Sequence, residues 1–253
     1  NCDAEITGDL SITGSDVKLQ VGNSATMTVE GNLTLSALQL TNNTNVVVSG
    51  KLTVLNSFLT GSNAVLTNNG EVDFSAPSVS LNYGATIQNN EDAVMKFNGT
   101  DLMIYDSQDK RDGASADIGH FINKGAVTMT NASFYMQGIS AQFKNESGAS
   151  FIVNNSGNPS KKVTFSEVDF VKDSEERYVS LECGSGFYVK GSDVTLHYYT
   201  ADGGTGEIGI GGDLIVEDGN LEIKRYAQGG GNFKIDQNCG TMIVTDTDNT
   251  GDG

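Results

Sequence analysis

Residues 31–60 read GNLTLSALQLTNNTNVVVSGKLTVLNSFLT. Leu33/Leu35, Leu38/Leu40, Val46/Val48 and Leu52/Val54 each pair two apolar residues across a single intervening one, polar in every case but Val47, the period-two pattern of a strand with one buried face. Gly, Asn, Ser and Thr fill the gaps between pairs, so each strand is followed by a turn. The spacing of an amphipathic helix is absent. A coarser rhythm lies above this one: the Gly-x-apolar-x-apolar start recurs at Gly8, Gly31, Gly50 and Gly70, at nearly even spacing. Three strand pairs fit in each interval, as in a three-sided coil.

One coil cannot bury its inward side chains alone. Stacked at the inter-strand spacing of roughly 4.8 Å, like residues meet in continuous apolar ladders, and each strand pairs with its counterpart one coil on. Asparagines such as Asn42-Asn43, Asn68-Asn69, Asn89-Asn90 and Asn154-Asn155 are expected at corners, where Asn tolerates left-handed backbone and bonds its stacked neighbours. The starts continue at Gly125, Lys162, Gly191 and Gly212, with longer intervals. Loops are therefore expected at 105–119, 169–178 and 200–212, and inserted loops are the first place to look for function. The expectation is an all-β, right-handed parallel β-solenoid, a three-sided β-helix, with loop insertions in the second half.

Composition narrows the function classes. The 253 residues hold two prolines and no linker-like run, so a single domain over 1–253 is expected, with 246–253 an acidic tail or linker stub. Apolar residues make up 37% and aromatics 8%, without Trp, which points to a long, thin core of many Val, Ile and Leu contributions. A net charge of -17 and a pI near 4.3 oppose nucleic-acid binding and anionic membranes. The same charge suits solubility and a weak attraction for divalent cations. No apolar run is long enough for a membrane helix, and the start at Asn1 reads as a processed or excised chain.

The pattern of residues 31–60 resembles the right-handed parallel β-helix passenger and stalk regions of bacterial secreted surface and adhesin-like proteins. The resemblance covers most of the chain and is strongest over residues 6–90. It implies secretion to the cell surface, an elongated scaffold, and a structural or adhesive role as a fibre or filament subunit or stalk. No amphipathic capping helix is evident at either end, so the expected partners are further copies joined end to end, or other surface proteins and glycans. The alternative is a carbohydrate-binding module or a polysaccharide-active β-helix enzyme. Carbohydrate lyases and hydrolases resemble this chain in fold class only.

Catalysis on a polysaccharide needs clustered carboxylates with a nearby Arg, Lys or His. Asp106, Asp109 and Asp112 flank Arg111, and Glu167 with Asp169 share a strand face; both read as charged surface, and no catalytic residue is assigned. Arg177, Arg225, His120 and His197 complete the inventory, with His197 opposite Val194 and Leu196. The string from Gly204 to Gly209 matches GxGxxG but precedes strand-like residues, where a dinucleotide site needs a helix, so no cofactor is assigned. Asp246, Asp248, Thr250 and Asp252 place oxygen donors at alternate positions, the opening of a calcium loop that lacks its later bidentate acid. Calcium is therefore the one candidate ion. Cys183 and Cys239 are a candidate disulfide in an oxidising compartment, and Cys2 leaves the count odd. A groove lined by Tyr105, Tyr135, Tyr198 and Tyr199 would favour sugar binding.

Overall fold

The computed structural model describes residues 3–105, 119–137, 142–146, 148–158, 160–166, 177–183, 187–191, 193–200, 206–211, 214–217, 220–227, 233–236 and 242–246. Among them every strand pair is parallel and no helix occurs. The strands form three sheets of ten, seven and ten members. Each sheet takes one strand from each successive coil, which makes the chain a three-sided parallel β-solenoid. Ten strands at roughly 4.8 Å give an axis of about 43 Å.

The first wall starts at Ala4–Ile6 and continues through Thr26–Val29, Asn45–Val48, Val65–Asn68, Thr86–Asn89 and His120–Asn123. The second starts at Leu10–Ile12 and takes in Glu71–Phe74, Val94–Asn98 and Ala126–Thr130. The third runs from Ser78–Leu81 through Asp101–Tyr105 and Phe134–Gln137 to Met242–Asp246. In two early coils the second and third walls are one unbroken strand, Asn32–Leu40 and Lys51–Leu59, bent by an irregular register between Leu35 and Ala37. From Phe74 onward a short corner through the exposed Pro77 separates them.

The recurring glycine has a steric cause. A Cβ on Gly31 would lie against the Gly8 carbonyl, on Gly50 against the carbonyls of Glu30 and Gly31, and on Gly70 against that of Gly50. Successive coils pass so closely at this corner that only hydrogen fits. At the opposite corner one residue per coil adopts positive φ: Ser24, Asn43, Asn63 and Tyr83, at 59°, 55°, 54° and 50°. These residues bond to the next coil, with Asn43 N–H donating to Ser62 O and Asn63 N–H to Tyr83 O, both at 2.8 Å.

The interior is not built from small aliphatics alone. Phenylalanines gather there: Phe58, Phe74, Phe97, Phe121 and Phe143 form a continuous stack with centroid separations of 5.0, 5.2, 6.2 and 5.8 Å. Phe134 and Phe151 join it at 5.1 and 4.9 Å from Phe143. Each such burial stabilises by about 1.5–3 kcal/mol, with about 0.5–1.5 kcal/mol more for ring geometry.

Beside the rings runs a polar column that corrects the reading of Asn68 and Asn89 as corner residues. Asn68, Asn89, Asn123 and Asn145 end successive first-wall strands in register, point inward and are fully buried. Asn68 Nδ2 donates to Asn89 Oδ1 at 2.7 Å, Asn89 Nδ2 to Asn123 Oδ1 at 2.8 Å, and Asn123 Nδ2 to Asn145 Oδ1 at 2.6 Å. The second amide hydrogens reach backbone carbonyls, as from Asn68 to Val94 and from Asn123 to Ser150, both at 2.9 Å. An in-register stack allows this because each amide finds an identical group one strand spacing away.

The coils lengthen in the second half. Thr86 pairs with His120 and Phe143 with Leu181, steps well beyond those of the first coils. The added residues fall within 106–118 and 167–176, which lie outside the described residues.

Candidate functional site

With the interior committed to packing, function falls to the outer faces and corners. The three walls differ in charge. On the second wall Lys51 Nζ and Lys96 Nζ both donate to Glu71 Oε1, at 3.0 and 2.8 Å, and Asn98 Nδ2 donates to Asp73 Oδ1 at 2.7 Å. The Lys96 and Lys51 ammoniums hold the Glu71 carboxyl below its ordinary range, and Glu71 in turn holds Lys96 above its own. The third wall pairs Lys161 with Asp101 at 2.7 Å.

Further along the third wall Lys162 Nζ meets Asp193 Oδ2 at 2.7 Å, and Asn220 donates to Asp193 Oδ1 through its backbone N–H at 3.1 Å and Nδ2 at 3.2 Å. Lys162, then the Asn220 donors, keep the Asp193 carboxyl below its usual range. With Thr195 and Glu222 these groups line a shallow open recess. A second recess sits at the glycine corner, between Glu91, Asp92, Lys124 and Ser150. In the first, Asp193 is already bonded, so it is held ionised and satisfied and lacks the raised pKa of a general acid.

The first wall is different. In Thr26–Val29, Asn45–Val48, Val65–Asn68, Thr86–Asn89 and His120–Asn123 the first and third residues face outward, and none is Asp, Glu, Lys or Arg. Thr, Val, Asn and Gln side chains dominate the face. On the preceding strand Glu5 lies in register with Thr28, and on the following strand Lys144 lies in register with Ile122. At the edge of the face stands the corner ridge of Asn43, Asn63 and Tyr83. An aromatic residue at positive φ is unusual, since it bears the Cβ penalty of left-handed backbone without the local side-chain hydrogen bonding that offsets it in Asn.

The residues singled out from the sequence are spread over the solenoid. Tyr135 lies half-buried on the third wall, opposite Met103, and His120 half-buried on the first. Tyr198 and Tyr199 are in the strand Val194–Thr200, opposite Arg225 and Tyr226, and His197 lies opposite Ser166 and Lys224. Arg177 begins the strand Arg177–Cys183, and Tyr105 ends Asp101–Tyr105. Asp106, Asp109, Arg111, Asp112, Glu167 and Asp169 lie outside the described residues. The glycine string runs into the strand Gly206–Gly211, without the helix a dinucleotide needs.

Asp246 closes the strand Met242–Asp246, while Asp248, Thr250 and Asp252 lie outside the described residues. Among the described residues no three His, Cys, Asp or Glu side chains converge. Cys183 follows Asn145 in register along the first wall. Cys2 and Cys239 lie outside the described residues. No described helix is long and apolar enough to cross a membrane.

Sequence reading missed Tyr83. Its signal was present in the series Asn42-Asn43, Asn63 and Tyr83-Gly84, which repeats at the coil period. No protein-family model matches this chain, and no curated protein or solved structure matches it either.

Proposed function

We propose that this chain is an extracellular structural or adhesive β-solenoid module: a non-catalytic stalk or fibre segment on a cell surface. The observation that carries the reading is the continuous three-sided stack, in which strand after strand pairs in parallel with its counterpart one coil on around a filled apolar interior. Such a stack is an elongated, quasi-one-dimensional scaffold. End-to-end addition of a second copy, or of another surface domain, would continue both the ladder and the core.

Three further features support the reading. The outer polar groups of the second and third walls are engaged with one another, a surface tied down for rigidity. The acidic charge favours solubility and opposes adhesion to nucleic acid. The resemblance of the coil pattern to surface-protein β-helices points the same way. Calcium at Asp246, Asp248, Thr250 and Asp252 belongs to this proposal as a stiffener of the terminal segment, and a calorimetric titration without heat would remove it.

Electron microscopy and sedimentation velocity test the assembly. The expected result is rods that lengthen with concentration. A monomer at every concentration would contradict end-to-end association. Protease shaving and antibody labelling of intact native cells test the location, and an interior, protected chain would contradict it.

A further inference from the structure

Two observations on the first wall point to a ligand of one chemical class. A net charge of -17 is spread over this chain, yet five consecutive coils of this wall present no Asp, Glu, Lys or Arg. Over comparable coils the second wall carries Lys51, Glu71 and Lys96, and the third carries Asp101, paired with Lys161. Such a face excludes no neutral partner and, apart from His120 on its last strand, gives a charged one nothing to pair with.

The second observation is Tyr83. It is 40% exposed at φ 50°, in the ridge position that Asn43 and Asn63 fill on the preceding coils. Those asparagines fit left-handed backbone without difficulty, and Asn63 Nδ2 donates to Asn43 Oδ1 at 3.3 Å. A tyrosine gains nothing comparable from the backbone, and strain of this kind concentrates where a side chain serves something other than the fold. Tyr83 is stacked on Asn63, whose N–H donates to its carbonyl, and Thr86 opens the strand that follows it. An aromatic residue and uncharged hydroxyl and amide groups thus share one edge. Stacking on an aromatic face together with hydrogen bonds from neutral donors and acceptors is the chemistry that recognises a sugar.

We propose that Tyr83 and the uncharged wall beside it, with Asn63, Thr67 and Thr86, bind a neutral polysaccharide. The site goes beyond the scaffold reading and takes from it only the exposure of the chain outside the cell. A second copy of the chain is the competing occupant. Five strands at roughly 4.8 Å, each about 13 Å long, give about 300 Å² per partner, well under the roughly 800 Å² of a stable pair, which favours the glycan.

The test is affinity electrophoresis of the full chain in gels containing hydroxyethyl cellulose, a soluble β-1,3-glucan or mannan, with polygalacturonate as the charged control. Retardation by at least one neutral polymer and none by polygalacturonate is expected. Tyr83→Asn should weaken that retardation at least tenfold while the melting temperature holds or rises, since Asn suits the backbone. Thr67→Glu should weaken it on the same polymer. No retardation by any neutral polymer, preference for polygalacturonate, or unchanged binding by Tyr83→Asn would overturn the proposal. So would a dimer in sedimentation that Thr67→Glu dissociates, because the wall would then be a self-interface. Any of these leaves the rod architecture, read by microscopy, untouched.

Discussion

Between Thr26 and Asn98 the chain returns to the same wall after a short step, as from Thr26 to Asn45 or from Glu71 to Val94; farther on, Phe143 meets its partner only at Leu181. Across the first of the longer steps, from Thr86 to His120, the interior does not register the change. The side-chain hydrogen bond of the asparagine column is 2.7 Å from Asn68 to Asn89, 2.8 Å across the longer step to Asn123, and 2.6 Å from there to Asn145. Lengthening a connection by about half costs on the order of 0.4 kcal/mol in closure entropy. One buried phenylalanine outweighs that several times over. Coil register is therefore held by what is stacked inside, and connections on the outside are free to grow.

If so, damage to the interior must exceed damage to the outer walls. The largest effect is expected from Phe97→Ala, which removes the ring between Phe74 and Phe121 and leaves a cavity in a closed core. Urea denaturation should show a loss of about 3–5 kcal/mol. Asn89→Ala comes next. It leaves Asn68 Nδ2 and Asn123 Oδ1 each short of a partner in a fully buried column, and about 2–3 kcal/mol should be lost. Because amides do not titrate, that loss should be the same at pH 4 and pH 8. Equal stability of Asn89→Ala and the parent protein would show that the column is ornament and that the rings alone set register.

The outer ladder should behave differently. Lys96→Met removes the shorter of the two ammonium contacts to Glu71 and should cost under about 1 kcal/mol. Glu71 has a lowered folded pKa, so its contribution is present above the unfolded glutamate value and fades as pH falls through the folded one. Lys96 has a raised folded pKa, so its share is fully present below the unfolded lysine value and is lost as pH rises through the folded one. Lys96→Met should thus flatten the acid limb of a stability-pH curve slightly. The smallest effect, a gain of about 1 kcal/mol or less, is expected from Tyr83→Asn, which relieves left-handed strain at an exposed corner.

The same contrast explains what was legible in the sequence. Gly31, Gly50 and Gly70 marked the coils because a steric rule admits no other residue there, and Leu33/Leu35, Val46/Val48 and Leu52/Val54 marked the strands because period two is local. Asn68 and Asn89 were visible as a recurring apolar-x-Asn ending, as in Leu66-Thr67-Asn68 and Ile87-Gln88-Asn89. Their inward direction was not, because an amide at a strand end is equally at home in a turn, and only the neighbouring coil decides. Phe58, Phe74 and Phe97 are unevenly spaced along the chain, and nothing local says that they stack. The uncharged face was hidden for the same reason: it is a property of one wall across five coils, while any single strand of it looks ordinary. Tyr83 was passed over because left-handed backbone is expected of Asn and Gly, and its place is set by stacking on Asn63.

Register across the first long step is the most direct test. Thr34, Thr53, Asp73, Lys96 and Thr128 follow one another strand by strand on the second wall. Spin labels at Thr34 and Thr128 are therefore four strand spacings apart, and pulsed electron resonance should give a narrow distribution near roughly 20 Å. A broad distribution, or one centred at twice that separation, would mean that the coils do not stack through the insertion, and the single continuous solenoid would be wrong.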